Sequence, residues 1–329
     1  MAVTAPGPSR TTPTTVPAPA TGPASTPGTA RATGPAPAAG AAPAPGPVPP
    51  YRPFAVRVAA VTDVSPNLRR VTFVGPDLGR FRTAGYDERL KLLFPLPGQE
   101  RPVLGDGPDW YRAWLDLPDE VRPHMRTYTT RAARPEHAEV DVDFARHGAA
   151  GPASAWAERA RPGDPLVIVG PNGDCPEAVP AREFQPPPDA PWYLLAGDET
   201  ALPAICGILE RLPEDAVVRA FVEVPTARDA CPPRVPAATS LTWLPRSAGP
   251  GSGAATRTGE LLVAAVRGAE LPDPGGPSGA YGVPGGAPYA WVAGEASAVR
   301  EIRRHLVRER GWAKTSVTFS GYWRRGGPL

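Results

Sequence analysis

The chain has 329 residues, a formal net charge of +2 and three cysteines. A charge so near balance, with no basic cluster interleaved with aromatic residues, argues against a nucleic-acid partner. No run approaches the roughly eighteen consecutive apolar residues that cross a bilayer, so no membrane span is expected.

Cys175, Cys206 and Cys231 are odd in number and widely spaced. That pattern fits neither a disulfide framework nor a zinc or iron–sulfur ligand set, so a soluble protein in the cytoplasm without a metal site is expected. Residues 1–50 hold 14 of the 48 prolines, with Arg10 and Arg31 as their only charges. Such a tract buries too little apolar surface to offset its ordering entropy, and a disordered tail is expected there. Proline interrupts it throughout, which argues against a secretory leader.

From Phe54 onward, short runs of strand-forming residues alternate with turns: Phe54–Val61, Leu68–Val74, Arg89–Phe94, Met125–Arg131, Ala138–Phe144 and Leu166–Gly170. With a single helix, Ala153–Arg159, between the last two, the spacing predicts a small antiparallel barrel over residues 51–184. Pro95–Pro123 reads as an aromatic, proline-rich loop carrying Trp110, Tyr111 and Trp114. Residues 185–191 form a stiff proline linker, after which the period changes.

Over residues 192–329 the expected elements are strand Trp192–Ala196, helix Ala201–Leu212, strands Val217–Val224 and Ser240–Leu244, a helical piece Leu261–Val266, strand Ala290–Ala293, helix Ser297–Arg310 and strand Ser316–Ser320. Alternating strands and helices predict a parallel sheet covered on both faces. Gly249–Gly253 and Pro272–Pro288 read as surface insertions.

Two segments carry the chemistry. In Arg126-Thr-Tyr-Thr-Thr-Arg131, read as a strand, Arg126, Tyr128 and Thr130 share one face. The Arg offers a fixed cation for a diphosphate, the Tyr a flat surface for a planar ring, and Thr129 a hydroxyl beside it. About twenty residues later, Gly151-Pro-Ala-Ser154 opens a helix whose unpaired N–H groups favour an anion. Alone, the second segment also describes an ordinary N-capped helix. Paired with the first, it suggests a flavin clamp.

At this point the chain resembles the siderophore-interacting proteins, or ferric-siderophore reductases, within the ferredoxin-reductase-like flavoenzymes. The resemblance rests on Arg126–Arg131, His147-Gly148 with Gly151–Ala157, Pro162-Gly-Asp164 running into Gly170-Pro171, Leu195–Ala204, Trp291–Glu295 and Ser320–Gly326, which are collinear. It implies an FAD-binding Greek-key barrel followed by a nicotinamide-binding α/β domain. In those pieces the expected FAD contacts are Arg126, Tyr128, Thr129, Asp143, His147, Gly151, Ala153 and Ser154. Tyr322 or Trp323 is expected to cover the flavin.

In an open parallel sheet, ligands bind beyond the carboxyl ends of the strands. Gly197, Asp198 and Thr200 end the first such strand, and Gly294 and Glu295 end a later one, so these five are the expected NADH or NADPH contacts. Glu295 reads equally well as a residue complementing a helix dipole. Glu223, near the end of the second strand, is placed to bond a ribose diol, which favours NADH. Lys91 and Arg324 resemble positions from which the family directs positive charge at an anionic siderophore; a lone strand Lys is also an ordinary solvated residue. Where some members add a basic residue after the barrel's last Gly-Pro, this chain has Asn172-Gly173.

The expected activity is hydride transfer from a nicotinamide to FAD, then single-electron delivery to siderophore-bound iron(III) without a protein acid or base. The alternatives are a general flavin reductase, an electron-transfer partner of a ferredoxin, or a siderophore-binding protein without turnover.

Overall fold

The computed structural model describes residues 48–104, 109–146, 151–177, 181–247, 256–271 and 286–326. Nearly all of the expected tail, most of both expected insertions and His147 lie outside these residues.

The first half is built from β1 (Tyr51–Ser65), β2 (Leu68–Val74), β3 (Arg89–Phe94), α1 (Trp110–Leu115), β4 (His124–Thr129), β5 (Ala132–Arg134), β6 (Glu139–Ala145), α2 (Pro152–Arg159) and β7 (Pro165–Pro171). Its strands form one antiparallel sheet in the order β4-β3-β7-β1-β2-β6-β5, curled into a half-barrel. Alternation drives the curl: Phe54, Val56 and Val58 of β1 turn inward with Leu90 and Leu92 of β3 and Val140, Val142 and Phe144 of β6. Trp156 of α2 enters the same core, its ring 5.9 Å from Phe144 and 5.4 Å from Phe94. Full burial of such a side chain stabilises the fold by roughly 1.5–3 kcal/mol.

Two expected elements differ. The strand expected over Met125–Arg131 stops at Thr129 and resumes at Ala132. Between them, Thr130 N donates to Glu88 O at 2.8 Å and Arg131 N donates to Asp141 O at 2.9 Å. The chain thus leaves the edge formed with β3 and joins the edge formed with β6, bringing the curled sheet's two margins together at one corner. The expected loop after Pro95 contains α1, and Trp114 anchors it by donating from its indole to Pro123 O at 2.9 Å.

The second half runs β8 (Tyr193–Gly197), α3 (Leu202–Leu209), β9 (Val218–Thr226), β10 (Thr239–Ser247), α4 (Glu260–Gly268), β11 (Tyr289–Glu295), α5 (Ala296–Arg304) and β12 (Val317–Trp323). All five strands are parallel, in the order β10-β9-β8-β11-β12. One face of the sheet packs on α3, and the other packs on α4 and α5. The order reverses between β8 and β11, which defines the crevice for a ligand. After Arg304 the last helix widens into a π turn, His305–Glu309.

Three buried or half-buried carboxylates tie the two sheets together. Asp229, beyond β9, accepts from Ser65 Oγ at 2.7 Å and from Asn67 N at 2.8 Å. Asp87 accepts from Trp291 Nε1 at 2.9 Å. Glu210, at the end of α3, pairs with Arg131 at 2.7 and 3.0 Å.

Candidate flavin and nicotinamide site

On β4, the register Leu90↔Tyr128 and Leu92↔Arg126 puts Arg126 and Tyr128 on the inward-turning side. Thr127 and Thr129 face the other way, opposite Lys91 and Arg89. The Tyr128 ring lies 4.5 Å from Phe144, and Phe144 in turn packs on Trp156. Through this aromatic chain the helix opened by Gly151 packs against the Arg-x-Tyr strand, so both segments of the expected clamp belong to one structure. Burial raises the Tyr128 hydroxyl above its ordinary pKa, and Arg126 opposes the rise.

Arg126 stands apart from its neighbours. Arg70 pairs with Asp143 at 2.7 Å, Arg89 with Glu183 at 2.7 Å and Arg134 with Asp141 at 2.8 Å. Arg126 is exposed, donates only to the adjoining Met125 O at 2.8 Å, and meets no carboxylate among the described residues. The Thr130 hydroxyl, just past the end of β4, is buried without a hydrogen-bond partner among the described residues. At the start of α2, Gly151 makes no side-chain cap, and a Cβ there would meet open space. A spare cation, an orphaned hydroxyl and an uncapped helix start suit a diphosphate and a ring bearing polar atoms. The residues therefore fit FAD: Arg126 and the α2 start would hold the diphosphate, with Tyr128 and Thr129 beside the ring.

Asp143 is placed differently from this group. Its carboxylate is buried, takes a two-pronged bond from Arg70 and lies 3.8 Å from Arg131. Ala153 is buried in the half-barrel core, and Ser154 is half-buried on the first turn of α2.

The C-terminal strand reaches the clamp. The Tyr322 hydroxyl adjoins Thr129. Burial first, and then the Asp87 carboxylate, raise its pKa above the ordinary value, while Thr129 lowers it in part. Its ring meets Trp291 edge-on at 6.3 Å. The next side chain, Trp323, donates within its own sheet to Asp198 Oδ2, just beyond β8, at 2.9 Å.

Asp198 organises the crevice between β8 and β11. It is 1% exposed and also accepts from Glu295 N at 2.8 Å and Thr200 N at 2.9 Å. Burial, reinforced by Glu199, raises its pKa. Gly197 is required by space, since a Cβ would lie 2.6 Å from Ala201 Cβ and 2.9 Å from Ala293 O. Gly294 is required by conformation as well, with φ +139° and Asp198 Oδ2 2.6 Å from an added Cβ. Glu295 caps α5, accepting from Ser297 N at 2.7 Å and Ala298 N at 3.1 Å. The five expected nicotinamide residues thus meet at one strand-end turn, where the two carboxylates hold protein donors.

Glu223 departs from the sequence expectation. Fully buried, it accepts from Gly259 N at 2.7 Å, Leu262 N at 2.8 Å and Arg246 at 3.1 Å. Its oxygens start α4 and are not available to a ribose diol.

Lys91 Nζ donates to Thr127 Oγ1 at 3.0 Å, and burial, with Arg89 beside it, lowers its pKa. Arg324 is exposed just past β12. Lys91 stands two residues from Arg89, the register partner of Thr129, and Arg324 two residues beyond Tyr322. Asn172 turns the chain after β7 by donating from its amide to Pro49 O at 2.9 Å. Sequence reasoning missed Asp87, Glu210 and Arg246, whose partners lie far along the chain. Among the described residues, no group of three or more His, Cys, Asp or Glu is placed to hold a metal, and no helix is long and apolar enough to cross a membrane.

An antiparallel half-barrel joined to a five-stranded parallel sheet, with its crevice at the β8/β11 reversal, defines the ferredoxin-reductase-like fold. A ferredoxin–NADP+ reductase from Neisseria gonorrhoeae, solved with bound FAD and NADP, has that fold with a TM-score of 0.52 at 13% identity, covering 82% of this chain and 99% of the other. Residues 57–175 match the siderophore-interacting FAD-binding domain and residues 190–326 the siderophore-interacting protein family. The chain belongs to the siderophore-interacting protein family. It is 32% identical to ferric vibriobactin reductase ViuB of Vibrio cholerae over 267 residues, 80% of this chain and 86% of that one. The crystal structure of a siderophore utilization protein from T. fusca is similar at a TM-score of 0.68 and 32% identity, covering 85% of this chain and 96% of the other.

Proposed function

We propose that the protein is an FAD-dependent oxidoreductase that draws electrons from NADH or NADPH and reduces iron(III) held by a siderophore, releasing iron(II). The observation that carries this reading is the meeting of the two halves just beyond β4, where Arg131 pairs with Glu210 at 2.7 and 3.0 Å and Tyr322 of the last parallel strand adjoins Thr129. The likeness to ViuB, a ferric vibriobactin reductase, supports the choice of substrate.

Bound FAD supplies the conversion of a two-electron donation into one-electron deliveries. The chain's own part is placement. Arg126 and the α2 start would neutralise the diphosphate, while Tyr128 and Thr129 orient the ring. Tyr322 excludes water beside Thr129, and Trp323 covers the strand ends at Asp198. Lys91 and Arg324 lend positive charge to an anionic iron complex. Reduction loosens the metal because hard oxygen ligands hold iron(III) far more strongly than iron(II).

The test is a steady-state assay in which a chelator selective for iron(II) traps released metal from a ferric catecholate siderophore. Nicotinamide-dependent trapping that scales with enzyme supports the proposal. Binding of the siderophore without trapping would leave a binding protein, and trapping only with added free flavin would leave a general flavin reductase.

A further inference from the structure

Between β3 and β4 the chain carries an aromatic surface that the proposed activity does not use. Of the six residues of α1, Trp110, Tyr111 and Trp114 are aromatic, and the helix buries none of its residues. Their rings are ordered on one another. Trp114 and Tyr111 stack at 5.9 Å with 18° between their planes, and Trp110 meets Tyr111 edge-on at 5.5 Å. Trp114 is held in place by Arg122, whose guanidinium lies 5.6 Å from its ring, and by its own indole bond to Pro123 O at 2.9 Å. Tyr111 is the ring left open, 50% exposed, with Leu115 one turn further on at 42%. A contiguous apolar surface of this kind, ordered by its own packing, marks a contact.

Its position selects the ligand. His124, Arg126 and Tyr128 alternate onto one face of β4. Tyr128 and Thr129 lie at the end of that strand nearest the parallel sheet, where Tyr322 adjoins Thr129. A flavin ring that takes hydride from a nicotinamide belongs at that end, and Arg126, two residues back, would hold the diphosphate. The adenosine half of FAD then continues away from the parallel sheet, over His124, which is exposed and lies about 6.6 Å beyond Arg126 at the rise of a strand. Trp114 is bonded to Pro123, the residue before His124, so the stacked rings of α1 adjoin the point where this face of β4 begins. A purine is flat, and its faces stack on aromatic rings. Tyr111 and Trp110 offer an open ring and an edge beside it, with no charge that a neutral base would have to desolvate.

We infer that α1 is the adenine platform of the flavin site, with Tyr111 stacking on the base and Trp110 flanking it, and that this platform makes the protein select FAD over FMN. The inference rests on the reading of β4 as the flavin strand. Tyr111 is the lever, since its exposed ring can be removed while Trp114 keeps its bond to Pro123 and its contact with Arg122.

Calorimetric titration of the full-length, flavin-free protein with FAD and with FMN tests this without turnover. The wild type is expected to bind FAD roughly tenfold or more tightly than FMN. Tyr111→Ala should weaken FAD about tenfold, the usual effect of losing one base–aromatic stack, and leave FMN unchanged. Tyr111→Phe keeps the ring and should match the wild type. Equal wild-type affinities for the two flavins overturn the inference, as does a Tyr111→Ala variant that keeps its FAD affinity or weakens both flavins equally. Unchanged FAD affinity with loss of self-association in sedimentation would give the patch to a second copy of the chain and overturn it too. Binding of neither flavin by the wild type removes the flavin reading itself, and the inference falls with it.

Discussion

The indole of Trp323 reaches across the end of β11 to Asp198, donating to Oδ2 at 2.9 Å. Trp323 pairs in register with Glu295, whose own backbone N–H donates to the same oxygen at 2.8 Å. One buried carboxylate therefore joins the ends of β8, β11 and β12 and holds an aromatic ring over the crevice. Trp323→Ala uncovers those strand ends and is expected to tighten NAD+ binding by about tenfold, equivalent to about 1.4 kcal/mol. Trp323→Phe keeps the ring but leaves a buried acceptor without its indole donor, and should lower stability by about 1–3 kcal/mol in urea denaturation.

Arg126 meets no carboxylate among the described residues, so its replacement should act on the cofactor more than on the fold. A charge-assisted bond to a diphosphate contributes about 1.5–3 kcal/mol, so Arg126→Ala is expected to weaken FAD retention roughly 10- to 100-fold. Arg126→Lys should recover part of the loss, as a point charge without the guanidinium fork. Flavin fluorescence released on dilution measures both. Unchanged retention in Arg126→Ala would remove β4 from the flavin site.

Glu210 and Arg131 couple the end of α3 to the corner where the half-barrel's margins meet. Their side chains are 26% and 17% exposed, so the pair is mostly sheltered. A double-mutant cycle with Arg131→Met and Glu210→Gln is expected to give a coupling energy of about 1–3 kcal/mol. A coupling near zero would make the contact incidental to the joining of the two sheets.

Asp229 links the β1–β2 turn to the end of β9, and it should give the protein an acid-sensitive joint. Burial pushes its carboxyl up, but donation from Asn67, Ser65 and Thr226 outweighs burial and holds it below the ordinary 3.8. A carboxyl lowered by folding adds stability above its unfolded pKa and loses it as pH falls through the folded value. Asp229's contribution is therefore complete above about pH 4–5 and fades below it. Asp229→Asn should be less stable than the wild type at pH 7, and the difference should shrink as thermal melts are taken towards pH 3.

Much of this arrangement is legible in the sequence where local signals suffice. Strands β2 and β3 begin and end where turn residues flank them, at Pro66-Asn67 and Pro95. The break at Thr130-Arg131 is hidden because it depends on two distant edges, Glu88 and Asp141, not on the propensity of the threonines. The position of Glu223 at a strand end is readable, but its side chain's turn towards the start of α4 is not. Asp87 and Trp291 lie 204 positions apart, and only the packed sheets bring them together. The clamp motif is local and readable; the pairing of Thr129 with Tyr322 belongs to the tertiary fold.

The central claim is that one protein accepts electrons from a nicotinamide and passes them to siderophore-bound iron. Anaerobic absorbance titration of the purified, FAD-loaded protein tests it most directly. The account predicts that NADH bleaches the flavin bands and that a ferric catecholate siderophore then restores them, with iron(II) released in a ratio of about two per flavin, as the electron count requires. Bleaching that ferric siderophore cannot reverse, or protein that takes up no FAD, would contradict it.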